Sequence, residues 1–173
     1  MIDTNAPLIL GSGSPRRREI LKLLKIPIRV LPGDAEEGVR SGERPSDYLQ
    51  RIVRQKLLSV AERLDDNSRG GVLVADTIVL VADEVLGKPA DDADACRMLR
   101  QLSGKRHEVW TRFAIAKGHA PRESAFEQTV RTAVYFRELS EDEVKRYVTT
   151  GEGRDKAGSY AVQGIGSFAV VRI

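Results

Sequence analysis

Apolar residues in this chain fall alternately in short runs and in helix-spaced stripes, and the two periods divide it into strands and helices in turn. Leu8-Ile9-Leu10 reads as a short buried strand, closed by the turn Gly11-Ser12-Gly13. Ser14 suits an N-cap and Pro15 a first helical position, so a helix opens there, with Ile20, Leu21, Leu23 and Leu24 spaced to make one face. Ile28 to Leu31 reads as a second strand, broken by Pro32-Gly33-Asp34. The acidic loop Asp34-Ala35-Glu36-Glu37 and a polar stretch to Pro45 follow. From Ser46-Asp47, the residues Leu49, Ile52, Val53, Leu57, Val60, Ala61 and Leu64 keep the 3.6 period of an amphipathic helix.

After a polar loop from Asp65 to Gly71 comes the most apolar segment, Val72 to Ala82. It is expected to be a central strand buried on both faces. Asp83-Glu84 marks a hairpin turn into Val85-Leu86, and Gly87-Lys88-Pro89 makes a constrained loop able to present a fixed cation. Asp91-Asp92 open a helix containing Ala95, Cys96, Leu99 and Leu102, which Ser103-Gly104 closes. Val109 to Ala116 and Thr129 to Phe136 read as long strands of the same sheet. Ser140 and Glu143 form a capping box for a helix containing Val144, Tyr147 and Val148, and Ser167 to Val171 reads as a last strand. Strands and helices in this order indicate α/β or α+β with a mixed sheet.

The length of 173 residues fits one domain, in one or two lobes, and suffices for a real core. A net charge of +3, from 28 basic and 25 acidic residues well mixed along the chain, calls for neither nucleic acid nor a membrane surface as partner. The single cysteine, Cys96, excludes an internal disulfide and suits a reducing, cytoplasmic setting; beside Met98 and Leu99 it reads as a packed helix residue. His107 and His119 with one cysteine do not make a zinc site. The N-terminus has no signal-peptide pattern, and no stretch reaches the ~18 apolar residues of a membrane helix.

Charge placement points to chemistry. Arg16, Arg17 and Arg18 crowd the first turn of a helix, where the macrodipole already disfavours cations. An anion among the free N–H groups, with Gly11 and Gly13 permitting close approach, would account for them; so would a solvated basic helix start. Neither a Rossmann nor a Walker glycine pattern is present. Lys56 lies on the apolar stripe of its helix, so it either snorkels its stem or points into a cleft. Asp76 sits in the middle of the most apolar strand, where a carboxylate must be paired, protonated or metal-bound unless a bulge relieves it. Arginines, lysines and carboxylates together are what polyphosphate cleavage requires, since cations take up phosphoryl charge and carboxylates hold Mg²⁺ or orient water.

The sequence resembles the Maf family of nucleoside triphosphate pyrophosphatases. The likeness rests on Ser12-Gly13-Ser14-Pro15-Arg16-Arg17-Arg18-Glu19-Ile20-Leu21, Glu36-Glu37, Lys56 and Ala75-Asp76-Thr77-Ile78-Val79. It continues through Gly87-Lys88-Pro89, Asp155-Lys156-Ala157-Gly158 and Val162-Gln163-Gly164, in family order from residue 8 to 173. The resemblance implies an inosine-triphosphatase-like fold: an elongated mixed sheet flanked by helices, in a single domain over 1–173 whose two lobes enclose a central cleft. It implies attack at the α-phosphate of a nucleoside triphosphate, giving the monophosphate and pyrophosphate with a divalent cation, Mg²⁺ or alternatively Mn²⁺ or Co²⁺. Asp76 matches the proposed general base and Glu37 a metal or water contact, so these two are the expected metal ligands. Lys56 and Lys88 match phosphate-binding lysines, and Ser12, Ser14, Arg16 and Arg17 would hold the triphosphate.

Arg16 after Pro15, Thr77 after Asp76 and Gln163 before Gly164 resemble the branch acting on dTTP and UTP, extending to modified pyrimidine nucleotides. An amide such as Gln163 can satisfy the paired donor and acceptor of a uracil or thymine edge. The resemblance further implies a homodimer and a link to arrest of septum formation. The acidic loop departs from it with Glu36-Glu37 where Asp-Glu is commoner. The family's continuation into a final helix is expected to be absent after Ile173. Rival readings are the 7-methyl-GTP branch, a non-catalytic nucleotide-binding regulator, and a nucleic-acid module on the Arg16–Arg18 cluster. The last is disfavoured by 5% aromatic content and the lack of a basic stripe.

Overall fold

Four helices and seven strands make up the fold in a computed structural model that describes residues 2–65, 70–118 and 125–173. His119 and the middle of the polar loop after Asp65 lie outside the described residues. The strands are β1 (Leu8–Leu10), β2 (Ile28–Val30), β3 (Gly71–Val81), β4 (Glu84–Leu86), β5 (Arg106–Lys117), β6 (Phe126–Phe136) and β7 (Val170–Arg172). They are hydrogen-bonded in the order β2-β1-β3-β5-β6-β7, with β4 on β3. The sheet is mixed as expected: β1 is parallel to β2 and β3, whereas β4 runs antiparallel to β3 and β7 to β6. The helices are α1 (Pro15–Leu23), α2 (Pro45–Ala61), α3 (Asp92–Leu102) and α4 (Glu141–Thr149).

Contacts divide the chain into two units, the first comprising residues 1–76 and 111–129 and the second 77–110 and 130–173. In the first, Val53, Leu57 and Val60 of α2 pack on Ile9, Val72, Val74, Ala114 and Ala116. Pro45 sits at the first helical position, with Arg44 rather than a serine at the N-cap; its guanidinium forks onto Asp47 at 2.8 and 3.3 Å. α1 departs from its expected apolar face. Only Leu21 is buried, against Leu8 and Leu10, while Ile20, Leu23 and Leu24 are exposed, Leu23 to 82%. A nine-residue helix beside three-residue strands meets the core over one turn only.

In the second unit, Met98, Leu99 and Leu102 of α3 and Val144, Tyr147 and Val148 of α4 enclose Val79, Leu86, Val134, Phe136 and Tyr160, with Cys96 packed at the margin. The Ser140–Glu143 capping box is formed. The hairpin turn falls one residue earlier than expected, because Ala82 and Asp83 both take positive φ, 47° and 65°. The expected strand from Ser167 is instead a 3₁₀ turn over Ile165–Ala169, and β7 begins only at Val170.

His107 is buried to 1% exposure, with Nε2 2.7 Å from the Tyr160 hydroxyl and its ring edge-on to Phe136. Burial lowers its pKa from 6.5 to about 4. The unfolded chain therefore takes up this proton first on acidification, and His107 contributes stability that is complete above pH 6.5 and lost as the pH falls towards 4. Thermal unfolding followed from pH 7 down to about 5.5, above the range where most carboxylates titrate, should show a falling midpoint. His107→Gln should flatten that slope; an unchanged slope would assign it to other groups.

Candidate active site

Asp76 lies on β3 with its side chain 15% exposed, and its burial is answered from α2. Lys56 Nζ donates to Asp76 Oδ1 at 2.7 Å and to Glu37 Oε1 at 3.4 Å. The Lys56 side chain is only 11% exposed, so its ammonium does not snorkel out to solvent but ends on two carboxylates. Asp76 is an ion-paired carboxylate within the continuous strand β3.

The acidic loop reaches Lys56 because the chain crosses α2 closely at Gly33. A Cβ there would stand 2.5 Å from the Lys56 carbonyl oxygen, so only glycine fits. Beyond it the loop is held by Arg51, which the sequence did not single out. Its Nε and Nη2 each donate to a Glu43 carboxylate oxygen at 2.7 Å. Nη1 and Nη2 also donate to the carbonyls of Glu36 and Gly38, at 3.2 and 2.8 Å, on either side of Glu37. The Arg51 bonds, with the Arg40 N–H, hold the Glu43 carboxyl down at about 2. The Tyr48 ring lies 5.4 Å below the guanidinium; burial, then the charges of Asp76 and Glu37, push its phenol up.

The start of α1 stands beside the same strand. Arg17 Nη1 donates to Ser12 Oγ at 2.8 Å and to the carbonyl of Ala75 at 2.9 Å, tying the helix to the residue before Asp76. Burial lowers the Arg17 pKa, opposed by the Asp76 charge. Ser12 is buried and also accepts from the Ser14 N–H at 3.3 Å, whereas the Ser14 side chain makes no cap bond to the helix. Arg16 and Ser14 are half-buried and Arg18 is exposed. Gly11 is pressed against Val74, while Gly13 faces open space.

The first unit thus gathers Ser12, Ser14, Arg16, Arg17, Glu37, Lys56 and Asp76. Thr77, Lys88 and Gln163 belong to the second. Thr77 is half-buried on β3, and Lys88 is exposed on the loop after β4, where the Gly158 N–H donates to the Gly87 carbonyl at 3.0 Å. Gln163 is exposed on the loop between two 3₁₀ turns, Ala157–Ser159 and Ile165–Ala169. Sequence reasoning missed Arg51 and Glu43, which carry no signal of their own, because what they do depends on where the loop around Glu37 passes.

Among the described residues, no three His, Cys, Asp or Glu side chains gather as a metal cluster. Glu37 and Asp76 nevertheless meet on one ammonium, supplying two hard oxygen donors. Mg²⁺ takes one or two carboxylates from a protein and completes its shell from phosphates and water, so this pair fits such an ion.

By its fold the chain is a mixed α/β protein like the Ham1 protein of Staphylococcus aureus, with a TM-score of 0.51 over 95% of this chain and 94% of that one, at 11% identity. By its sequence it belongs to the Maf family, since residues 7–173 match the family described as Maf-like protein. It is 43% identical over 173 residues to a protein of Geotalea uraniireducens, covering all of this chain and 87% of that one. It is 45% identical over 166 residues to a protein of Bacillus cereus, covering 96% and 83%. Both relatives bear the name dTTP/UTP pyrophosphatase.

Losing Lys56 would leave Asp76 buried and unpaired. Lys56→Met should lower stability in urea by about 2–3 kcal/mol, and the double variant Lys56→Met/Asp76→Asn should regain part of that loss. Strictly additive single effects would show that the pair is not coupled.

Proposed function

We propose that this chain is a nucleoside triphosphate pyrophosphatase that hydrolyses dTTP and UTP to the monophosphate and pyrophosphate. The observation that carries the reading is the ammonium of Lys56 held between Asp76 and Glu37. A purely anion-binding surface has no use for two carboxylates beside its cation. The names of relatives at 43–45% identity support the same reaction and the same bases.

In this reading a water attacks the α-phosphorus, Asp76 takes its proton, and the bond to the α–β bridging oxygen breaks so that pyrophosphate leaves. Lys56 orients the Asp76 carboxylate and, with Lys88, Arg16 and Arg17, offsets charge on the phosphoryl oxygens. Ser12 and Ser14 position the triphosphate at the start of α1, with Arg17 also anchoring that helix to β3. Glu37 and Asp76 would hold a divalent cation, Mg²⁺ with Mn²⁺ or Co²⁺ as alternatives, which when bound supplies Lewis-acid charge at the phosphates. Thr77 and Gln163 face the base, Gln163 matching the donor and acceptor of a uracil or thymine edge. On the family's likeness alone, the proposal extends to a cytoplasmic homodimer with a part in arresting septum formation.

The test is incubation with dTTP, UTP, CTP, GTP and 7-methyl-GTP plus Mg²⁺, assaying pyrophosphate and phosphate separately. Pyrophosphate should appear from dTTP and UTP, with kcat reduced roughly 10²–10⁴-fold by Asp76→Asn. Turnover of 7-methyl-GTP alone would move the protein to the other branch. Tight nucleotide binding with no turnover would make it a regulator.

A further inference from the structure

Glu152, at the turn after α4, carries a carboxylate whose two oxygens are both occupied by the loop that displays Gln163. Oε1 accepts the Ile165 N–H at 2.8 Å, and Oε2 accepts the Gly166 N–H at 2.9 Å and the Tyr147 hydroxyl at 2.7 Å. The Tyr147 oxygen in turn accepts the Ala161 N–H at 3.2 Å. A Tyr147–Glu152 pair thereby grips the chain two residues before Gln163 and again two and three residues after it. Gly164 lies so close that a Cβ would stand 2.0 Å from Oε1, so the carboxylate rests directly on the backbone next to Gln163. Lys156 Nζ secures the base of this turn by donating to the Glu152 carbonyl at 2.6 Å. Burial of the carboxyl is outweighed by these hydrogen bonds and by Lys156, which together lower its pKa.

An exposed amide on a loop discriminates between bases only if its backbone is fixed, because the hydrogen-bond geometry that separates one base edge from another tolerates little drift. We infer that Glu152, with Tyr147, is the positioning residue for base discrimination, holding the Gln163 amide in the orientation that reads a uracil or thymine edge. This rests on the reading of Gln163 given above. Neither residue touches the phosphates in that reading, so their effect falls on the choice of base and leaves the chemical step intact.

The experiment compares kcat/KM for UTP and CTP in the wild type, Gln163→Ala, Glu152→Gln and Tyr147→Phe, with thermal midpoints measured alongside. Glu152→Gln keeps the size of the side chain but replaces one acceptor oxygen by a donor NH₂, which opposes one of the two N–H groups. The UTP/CTP ratio should fall about tenfold in Glu152→Gln, the worth of one well-placed hydrogen bond to a base edge, and less in Tyr147→Phe. The kcat for UTP at saturation should change little. A lowered midpoint with an unchanged ratio in both variants would make the pair purely structural and overturn the inference. If Gln163→Ala abolishes discrimination while Glu152→Gln preserves it, the reading of Gln163 stands and the positioning role falls. If Gln163→Ala leaves the ratio intact, both fall together.

Discussion

A carboxylate in the middle of an apolar strand is the constraint from which the first unit follows. Asp76 costs several kcal/mol where it stands unless a cation meets it, and the cation comes from the inward face of α2. Lys56 can reach Asp76 only if that helix keeps the register in which Val53, Leu57 and Val60 fill the core, so the ion pair and the apolar packing fix the same rotation of the helix. The close crossing at Gly33 then delivers the acidic loop to the same ammonium, and Arg51, five residues before Lys56, closes it there. Each step depends on the one before.

Two charged side chains perform one task by opposite chemistry. Arg51 is a cation that fastens a loop by its carbonyls, those flanking Glu37. Glu152 is an anion that fastens a loop by its N–H groups, those following Gln163. Loops rich in glycine and polar residues have little apolar surface with which to order themselves, and a multidentate charge supplies several directed bonds from one side chain. Arg17 follows the same logic at the start of α1, spending hydrogen bonds on Ser12 and Ala75. Three adjacent arginines therefore differ in kind: Arg17 is built into the scaffold, whereas Arg18 faces solvent.

What the sequence made legible were features whose cause is local. The 3.6 period of α2, the capping box of α4 and the apolar run of β3 each carry their own signal, and all three elements formed as expected. Asp76 and Lys56 were legible as violations of those patterns, a charge on a strand and a charge on a buried stripe. Their pairing follows once both need a partner. Arg51 and Glu152 were illegible because nothing about them violates a pattern; their importance lies in where a distant loop passes. The exposure of Leu23 and the 3₁₀ turn at Ile165–Ala169 were misread for a related reason. Periodicity shows which residues could share a face or a strand, and packing partners decide whether they do.

The grips on Glu37 and Gln163 are anchored to separate cores. Arg51 is carried by α2, whose apolar face belongs to the cluster around Val53, Leu57 and Val72. Tyr147 belongs to the cluster around Leu99, Phe136 and Tyr160, and Glu152 follows it at the end of α4. Substitutions that loosen one core need not disturb the other, because residues without shared partners contribute independently. In the proposed reaction, a chain organised this way could alter the amide assigned to the base while the carboxylates and lysine assigned to the phosphate stay in place. Under that proposal the choice of base would be the more easily changed feature, and the Lys56–Asp76 pair the less.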